Sequence, residues 1–330
     1  MTAGIIINPI AGTHPHLSVG VRVKLALDAL ERCGVDGQVR VTQRRGHGRE
    51  VAAEFVANGV ETLVVWGGDG SVNEVASQVA FRGPVLGIVP GGSGNGLARE
   101  LHLDWNVTRA LETALRGRVR WIDAGELGGR LFFNVAGVGI DAHLAAVFNT
   151  VSRRGRLAYF NAGWRELLRY EPEMYTMRAG QLDIRERALA IVVANTRQYG
   201  THAIIAPLAE PDDGLLEVVV LPPLSPLAML WQARRLFTGS VHRLAGTRML
   251  SVSEAEISCD AALRFHVDGE VVSGSRTLTA RVHARALQVR VPGIPQRGGT
   301  GSGYRGAASS AKAGSASHGD GIRVTAGAGT

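Results

Sequence analysis

Two glycine-rich stretches lie within thirty positions of one another, Gly67-Gly68-Asp69-Gly70 and Pro90-Gly91-Gly92-Ser93-Gly94-Asn95-Gly96. Each follows a short apolar run, Thr62–Trp66 and Val85–Val89. Glycine has no Cβ, so an anion can come close to its N–H groups, and a loop of this kind between a strand and a helix cradles phosphate. Asp69 would then be a carboxylate fixed among phosphate-binding amides, suited to hold a metal or take a proton from a hydroxyl. Neither stretch has a common nucleotide pattern. The first departs from G-x-G-x-x-G at Asn73, and the second carries Leu97 where Walker A requires lysine. Lys24 and Lys312 are the only lysines of the chain. A phosphate clamp must therefore use arginine, backbone amides and Mg²⁺.

Thr42-Gln43-Arg44-Arg45-Gly46-His47 offers a hydroxyl and two guanidiniums at the end of another apolar run, and Asn8-Pro9-Ile10-Ala11-Gly12 ends the first one. Either segment alone reads as an ordinary turn. Ser71-Val72-Asn73-Glu74 fits a capping box, with Ser71 at the N-cap and Glu74 three positions on. In the second half, Asp141 follows a run of small residues from Phe133, and Asp268-Gly269-Glu270 puts two acids at a turn. Asp212-Asp213-Gly214 is a similar turn. An Asp-Gly turn is a hairpin former first; the chemical alternative is Mg²⁺ held by mixed side-chain and backbone oxygens. The ten histidines show no ligand spacing, and His266 reads as a strand residue.

These groups need elements to position them. Gly4–Pro9, Val39–Thr42, Thr62–Trp66 and Val85–Val89 read as strands, and Leu17–Cys33, Gly48–Gly59 and Val107–Arg116 as helices. Their alternation predicts a doubly wound α/β domain with a parallel sheet, and the glycine loops then fall on one rim, at the carboxyl ends of their strands. From Trp121 the texture changes to short β-branched runs: Arg130–Val135, Ala188–Ala194, Leu215–Leu221, Leu250–Ser258, Leu263–Val267, Thr277–Ala284 and Leu287–Val291. These predict an antiparallel, β-rich sandwich domain. Helices are expected at 157–169 and 226–238. The expected domains are thus 1–120, 121–292 and a Gly/Ala/Ser-rich tail, 293–330, without a pattern able to fold.

At 330 residues, 45% apolar and 20% charged, the chain is long enough for two cores. Cys33 and Cys259 cannot form a disulfide framework or a four-ligand zinc site, and a reducing, cytoplasmic compartment is expected. The start lacks a basic signal region, and no apolar run is long enough to span a bilayer. The net charge of +7 admits nucleic acid, anionic membranes or phosphorylated ligands as partners.

Taken in order, Asn8-Pro9 with Gly12, Thr42-x-Arg-Arg-x-His47, Gly67-Gly-Asp-Gly70-Ser-x-Asn-Glu74, Pro90-x-Gly-Ser-Gly-Asn95-x-Leu-Ala98, Gly137-x-Gly-x-Asp141 and Asp268-Gly-Glu270 resemble the diacylglycerol kinase catalytic-domain superfamily. That group includes bacterial lipid kinases, sphingosine kinases and ceramide kinases. The resemblance covers about Gly4 to Val291. It implies an ATP- and Mg²⁺-dependent lipid kinase, with diacylglycerol the first expectation for the acceptor and a sphingoid base or ceramide the alternative. ATP would meet Asn8, Pro9, Thr42, the loop from Gly67 and Gly68 through Gly70, Ser71 and Asn73, then Glu74 and Ser93. Amides around Gly94 and Asn95 would bind phosphate, and Arg44 and Arg45 would offset its charge. Asp69 and Asp141 would recognise the acceptor, and Asp69, Asp268 or Glu270 would take its proton. Asp213, with the carbonyls of Glu210 and Leu215, matches a structural Mg²⁺ site. The implied partner is lipid at the inner membrane face, met by peripheral contact, and not nucleic acid; a homodimer is one open oligomeric state. An NAD kinase, which shares the Gly-Gly-Asp-Gly loop, and a silent lipid- or nucleotide-binding regulator are the competing readings. The segment after Pro90 departs from the former, and retention of Asp69, Glu74 and the late acids argues against the latter.

Overall fold

The computed structural model describes residues 1–12, 17–150, 170–293 and 323–326. Four parallel strands open the fold: β1 (Thr2–Ile7), β2 (Asp36–Val41), β3 (Thr62–Gly67) and β4 (Val85–Pro90), in the order β2-β1-β3-β4. The apolar runs of β1, β3 and β4 are unbroken because both faces are covered, whereas the edge strand β2 alternates between exposed and half-buried residues. Successive side chains alternate between two cores. Ile5, Ile7, Val64 and Trp66 pack with α1 (Val19–Cys33) and α5 (Val107–Arg116). Ile6, Leu63, Val65 and Leu86 pack with α2 (His47–Ala57) and α3 (Asp69–Val79). All four strands end on one rim, where the glycine loops turn into α3 and the short α4 (Gly96–Glu100).

The second half is a sandwich of two sheets around a core that includes Phe132, Phe265, Ile257 and Leu278. One of its sheets is continuous with the first domain. Strand β16 (Thr277–Val291) lies beside β4, with Val289 opposite Leu86, and pairs antiparallel with β5 (Arg118–Leu127). Beyond it come β13 (Glu254–Cys259), β8 (Glu173–Ala179) and β9 (Leu182–Ala188). The other sheet runs β15 (Glu270–Ser273), β14 (Arg264–Val267), β7 (Val135–Gly139), β10 (Ala190–Ala194), β11 (Leu216–Leu221), β12 (Arg248–Val252) and β17 (Arg323–Ala326). The hairpin strand β6 (Arg130–Phe132) joins β5, and α6 (Ile140–Thr150) follows β7.

Several expectations change. The run Arg130–Val135 divides between β6 and the start of β7, which lie in different sheets, and the helix expected at 226–238 is two short ones. The run Leu250–Ser258 is two strands, because the chain crosses between sheets at Ser253. The runs at Thr277 and Leu287 are one long strand, with a register shift between His283 and Leu287 where Arg285 takes a left-handed φ of 51°. The tail contributes a strand on the free edge of β12, Leu250 facing Val324. The expected helix at 157–169 lies outside the described residues, as does the rest of the tail. Among the described residues no helix is long and apolar enough to cross a membrane.

Candidate active site

A cavity of about 1030 Å³ lies between the halves, above the rim of the parallel sheet. The end of β1 lends it Asn8 and Pro9, and the end of β2 lends Thr42, Arg44 and Arg45. From the first glycine loop come Gly68, Asp69, Gly70, Ser71 and Glu74, and from the second Ser93 and Gly94. The second half contributes Asp141, Tyr199, His266, Asp268 and Glu270. Gly67, Asn73 and Asn95 are set behind this surface. The two glycine loops touch: a Cβ on Gly68 would stand 2.9 Å from Gly92 Cα, and one on Gly92 2.5 Å from Gly68 Cα. No larger residue fits at that junction without moving backbone.

Asp69 is the first residue of α3, where the helix dipole favours negative charge. Its Oδ2 accepts the Asn95 N–H at 2.8 Å and its Oδ1 the Gly96 N–H at 2.7 Å, so the second loop holds the carboxylate of the first. Asn95 can present that amide because it adopts a left-handed φ of 52° and bonds back to Gly92 through its side chain. Burial pushes the Asp69 carboxyl up to about 6; the two N–H donors oppose that rise and the charge of Asp268 adds to it. A carboxylate of this kind is ionised at neutral pH yet more basic than a solvated one, the property a general base needs.

The expected capping box is not formed. Helix α3 starts at Asp69 with Gly68 as its cap, two positions before Ser71. The Ser71 hydroxyl accepts from Asn8 Nδ2 at 2.8 Å, joining the ends of β1 and β3. Glu74 accepts the Gly46 N–H at 2.9 Å and so anchors the Thr42–His47 turn. Of the two arginines in that turn, Arg44 pairs with Glu50 at 2.6 Å, and Arg45 reaches across the cavity mouth to Glu270 at 3.4 Å. Both pairs are solvent-exposed, so they orient side chains more than they stabilise the fold.

Asn73, expected to meet the nucleotide, does not line the cavity. It is buried, and its Nδ2 donates to Leu131 O and to Asp268 Oδ2 at 2.8 Å. Asp268 also accepts the N–H groups of Phe133, Asn134 and Val135 at 2.9 to 3.1 Å. With four protein donors on its two oxygens, Asp268 braces α3, the β6–β7 connection and its own turn together at the cavity wall. Burial raises its carboxyl above the ordinary range in spite of those donors. Glu270, on the same turn, keeps partial exposure in the cavity.

Asp141 opens α6 and forms a network that sequence reasoning missed. Its Oδ2 receives the Tyr199 hydroxyl at 3.0 Å and His266 Nε2 at 2.7 Å. His266 does lie on β14, as expected of a strand residue, but its ring is buried and turned to the acid. Burial lowers the His266 pKa, and Asp141 and Asp268 more than reverse this, so the ring titrates above its ordinary value. The Gly269 N–H points at its Nδ1, 3.3 Å away, which assigns the Nε2–H tautomer. Tyr199 is held neutral by burial and by Asp141, and it stays a donor. A tyrosine in a loop 58 positions from its partner leaves no local signal in the sequence.

Glu210, Asp213 and Leu215 do not line this cavity. They lie on the loop before β11, where Asp213 Oδ1 accepts the Leu215 N–H at 3.0 Å. The neighbouring Asp123 is fully buried and accepts from the Gly214 and Arg285 N–H groups, both at 2.7 Å. Burial raises the Asp213 carboxyl, and the charges of Asp123 and Glu210 raise it further. No group of three acidic, histidine or cysteine side chains is placed to hold a metal by itself among the described residues.

The chain matches two family models, the diacylglycerol kinase catalytic domain over residues 2–127 and a YegS C-terminal NAD kinase beta sandwich-like domain over 134–291. It is 33% identical over 279 residues to a Pseudomonas aeruginosa PAO1 protein named "Probable lipid kinase YegS-like", covering 82% of this chain and 89% of that one. A protein of the same name from Chromohalobacter salexigens is 30% identical, over 75% and 82% of the two chains. Among solved structures, a diacylglycerol kinase from Bacillus anthracis superposes with a TM-score of 0.67 at 18% identity, covering 88% of this chain and 96% of that one. That likeness bears on the fold.

Proposed function

The chain belongs to the diacylglycerol kinase catalytic-domain family and is a lipid kinase, and from that premise we propose that it transfers the γ-phosphate of ATP to the hydroxyl of diacylglycerol. The observation that carries the reading is Asp69: a carboxylate pushed up to about 6, fixed by amides of the second glycine loop and facing the cavity where both substrates would meet. The abutting loops leave backbone amides close to bound phosphate. Arg44 and Arg45 stand at the mouth to offset its charge. Phosphoryl transfer asks little else of a protein than alignment, charge and a proton acceptor.

Mg²⁺ is ordinarily held by one or two carboxylates together with substrate phosphates, and it would supply charge neutralisation there. Glu74 and Glu270 are the cavity carboxylates with room for it. The Glu210–Asp213–Leu215 loop fits a second, structural cation, because Asp213 faces like charge from Asp123 and Glu210. Asp141 is placed to accept from the lipid hydroxyl: two protein donors occupy its Oδ2, and Oδ1 has no donor among the described contacts. The test is a radiolabelled ATP assay over diacylglycerol, monoacylglycerol, sphingosine, ceramide and phosphatidylglycerol, with NAD as a control. Label in diacylglycerol is the expected result. Label in NAD and in no lipid would overturn the reading.

A further inference from the structure

Between Glu217 and Glu254 the sequence contains no aspartate or glutamate. This stretch carries two short helices on the outer face of the second sheet, α7 (Pro226–Gln232) and α8 (Arg234–Thr238). Met229 anchors them to the core beneath. Leu227, Leu230, Trp231 and Phe237 point away from it and are 77%, 53%, 63% and 62% exposed. A single exposed apolar side chain is ordinary, but four on one pair of consecutive helices form a patch that marks an interaction surface.

The charge around the patch indicates what covers it. The Arg234 guanidinium lies 4.2 Å above the Trp231 ring. Arg235 is held by Gln232 and the Ser240 carbonyl. Within the stretch, Arg248 pairs with Glu186, while Arg234, Arg235 and Arg243 reach no carboxylate among the described residues. Tryptophan and leucine flanked by unpaired arginines, with no acid to repel phosphate, is the composition that settles into the interface of an anionic bilayer. The patch also connects with the cavity. Ile204 N–H donates to Leu236 O at 2.7 Å, and Tyr199 N–H donates to Ala203 O at 3.0 Å. The loop that rests on α8 is therefore the one whose tyrosine hydroxyl holds Asp141.

We propose that α7 and α8 form the face by which the protein docks on anionic phospholipid, bringing the acceptor carboxylate next to the membrane. The role rests on the lipid-kinase reading, whereas the binding itself requires no catalysis. The test is co-sedimentation of the full chain, without ATP, with vesicles of phosphatidylcholine alone and of phosphatidylcholine with phosphatidylglycerol. Wild type is expected on the anionic vesicles. The triple variant Leu227→Ser, Trp231→Ser, Phe237→Ser should bind them at least about tenfold more weakly, and Arg234→Gln with Arg243→Gln also about tenfold more weakly. Turnover of detergent-dispersed lipid should stay within about twofold in both, since none of these residues lines the cavity. Unchanged vesicle binding by both variants would overturn the proposal. So would a dimer that the triple variant splits with vesicle binding intact, which would assign the patch to a second copy of the chain. Patch-dependent vesicle binding by a protein that phosphorylates no lipid would uphold this surface and refute the function reading.

Discussion

Asp69 and Asp268 both line one cavity, one from each half of the chain, and burial raises both carboxyls above their ordinary range. They differ in how many donors hold them. Asp69 has two, both backbone amides of a neighbouring loop, and remains open to the cavity. Asp268 has four, drawn from two separate segments, α3 and the β6–β7 connection, so its oxygens are occupied by the protein itself. Both belong to sequence motifs of the same form, an acid beside glycine at a turn. The motif places an acid at the turn; the count of donors separates one left open to the cavity from one tied across the halves.

The contrast is sharpest in the amide variants. Asp69→Asn should lower kcat by at least roughly a hundredfold, read in the radiolabelled ATP assay. It should lower the melting temperature at pH 8 less than Asp268→Asn does, because fewer amides lose an acceptor. The folded pKa of about 6 lies above the ordinary carboxylate value, so this group's contribution to stability is present at low pH and is lost as pH rises through about 6. Removing the acid removes that cost. Full activity in Asp69→Asn would end its assignment as base. Asp268→Asn should do the reverse, losing about 2 kcal/mol in urea titrations because amides that donated to it are left unpaired, with a smaller fall in kcat than Asp69→Asn. A stable but inactive Asp268→Asn would return that residue to the chemistry.

Smaller effects refine the picture. Tyr199→Phe removes one donor to Asp141, a loss of about 1 kcal/mol, which should raise the KM for the lipid about fivefold and leave the KM for ATP unchanged. Equal changes in both would place Tyr199 outside acceptor recognition. The acid limb of kcat/KM should fall near pH 6, following Asp69. Because the charge of Asp268 helps raise that value, Asp268→Asn should move the limb to lower pH. A limb unmoved by that variant would show the two acids to be uncoupled.

The first domain was legible because its inner strands β1, β3 and β4 are covered on both faces, which writes Thr62–Trp66 and Val85–Val89 into the sequence as unbroken apolar runs between turn residues. The rim and Asp69 followed from those runs. The helix start did not, since Gly68 caps α3 through its backbone and the more conspicuous Ser71 and Glu74 serve other loops. In the second half, apolar runs show that strands exist but do not show which sheet they join, and the passage at Ser253 has no composition of its own. Tyr199, His266 and Asn73 owe their roles to contacts across 58, 125 and 195 positions. No window of sequence contains such a pair.

The strand beside β4 carries a consequence for how this protein is made. Val289 lies opposite Leu86, so the sheet that carries the glycine loops is completed by a segment synthesised some two hundred residues later. Until that segment leaves the ribosome, β4 presents an unpaired edge, a template for wrong partners. Joining such distant segments makes the closing step slow, because a long loop must be ordered before the contact is gained. Residues 1–127 expressed alone would keep that edge open and aggregate. A graft that transplants the nucleotide half into another kinase must carry β16 with it.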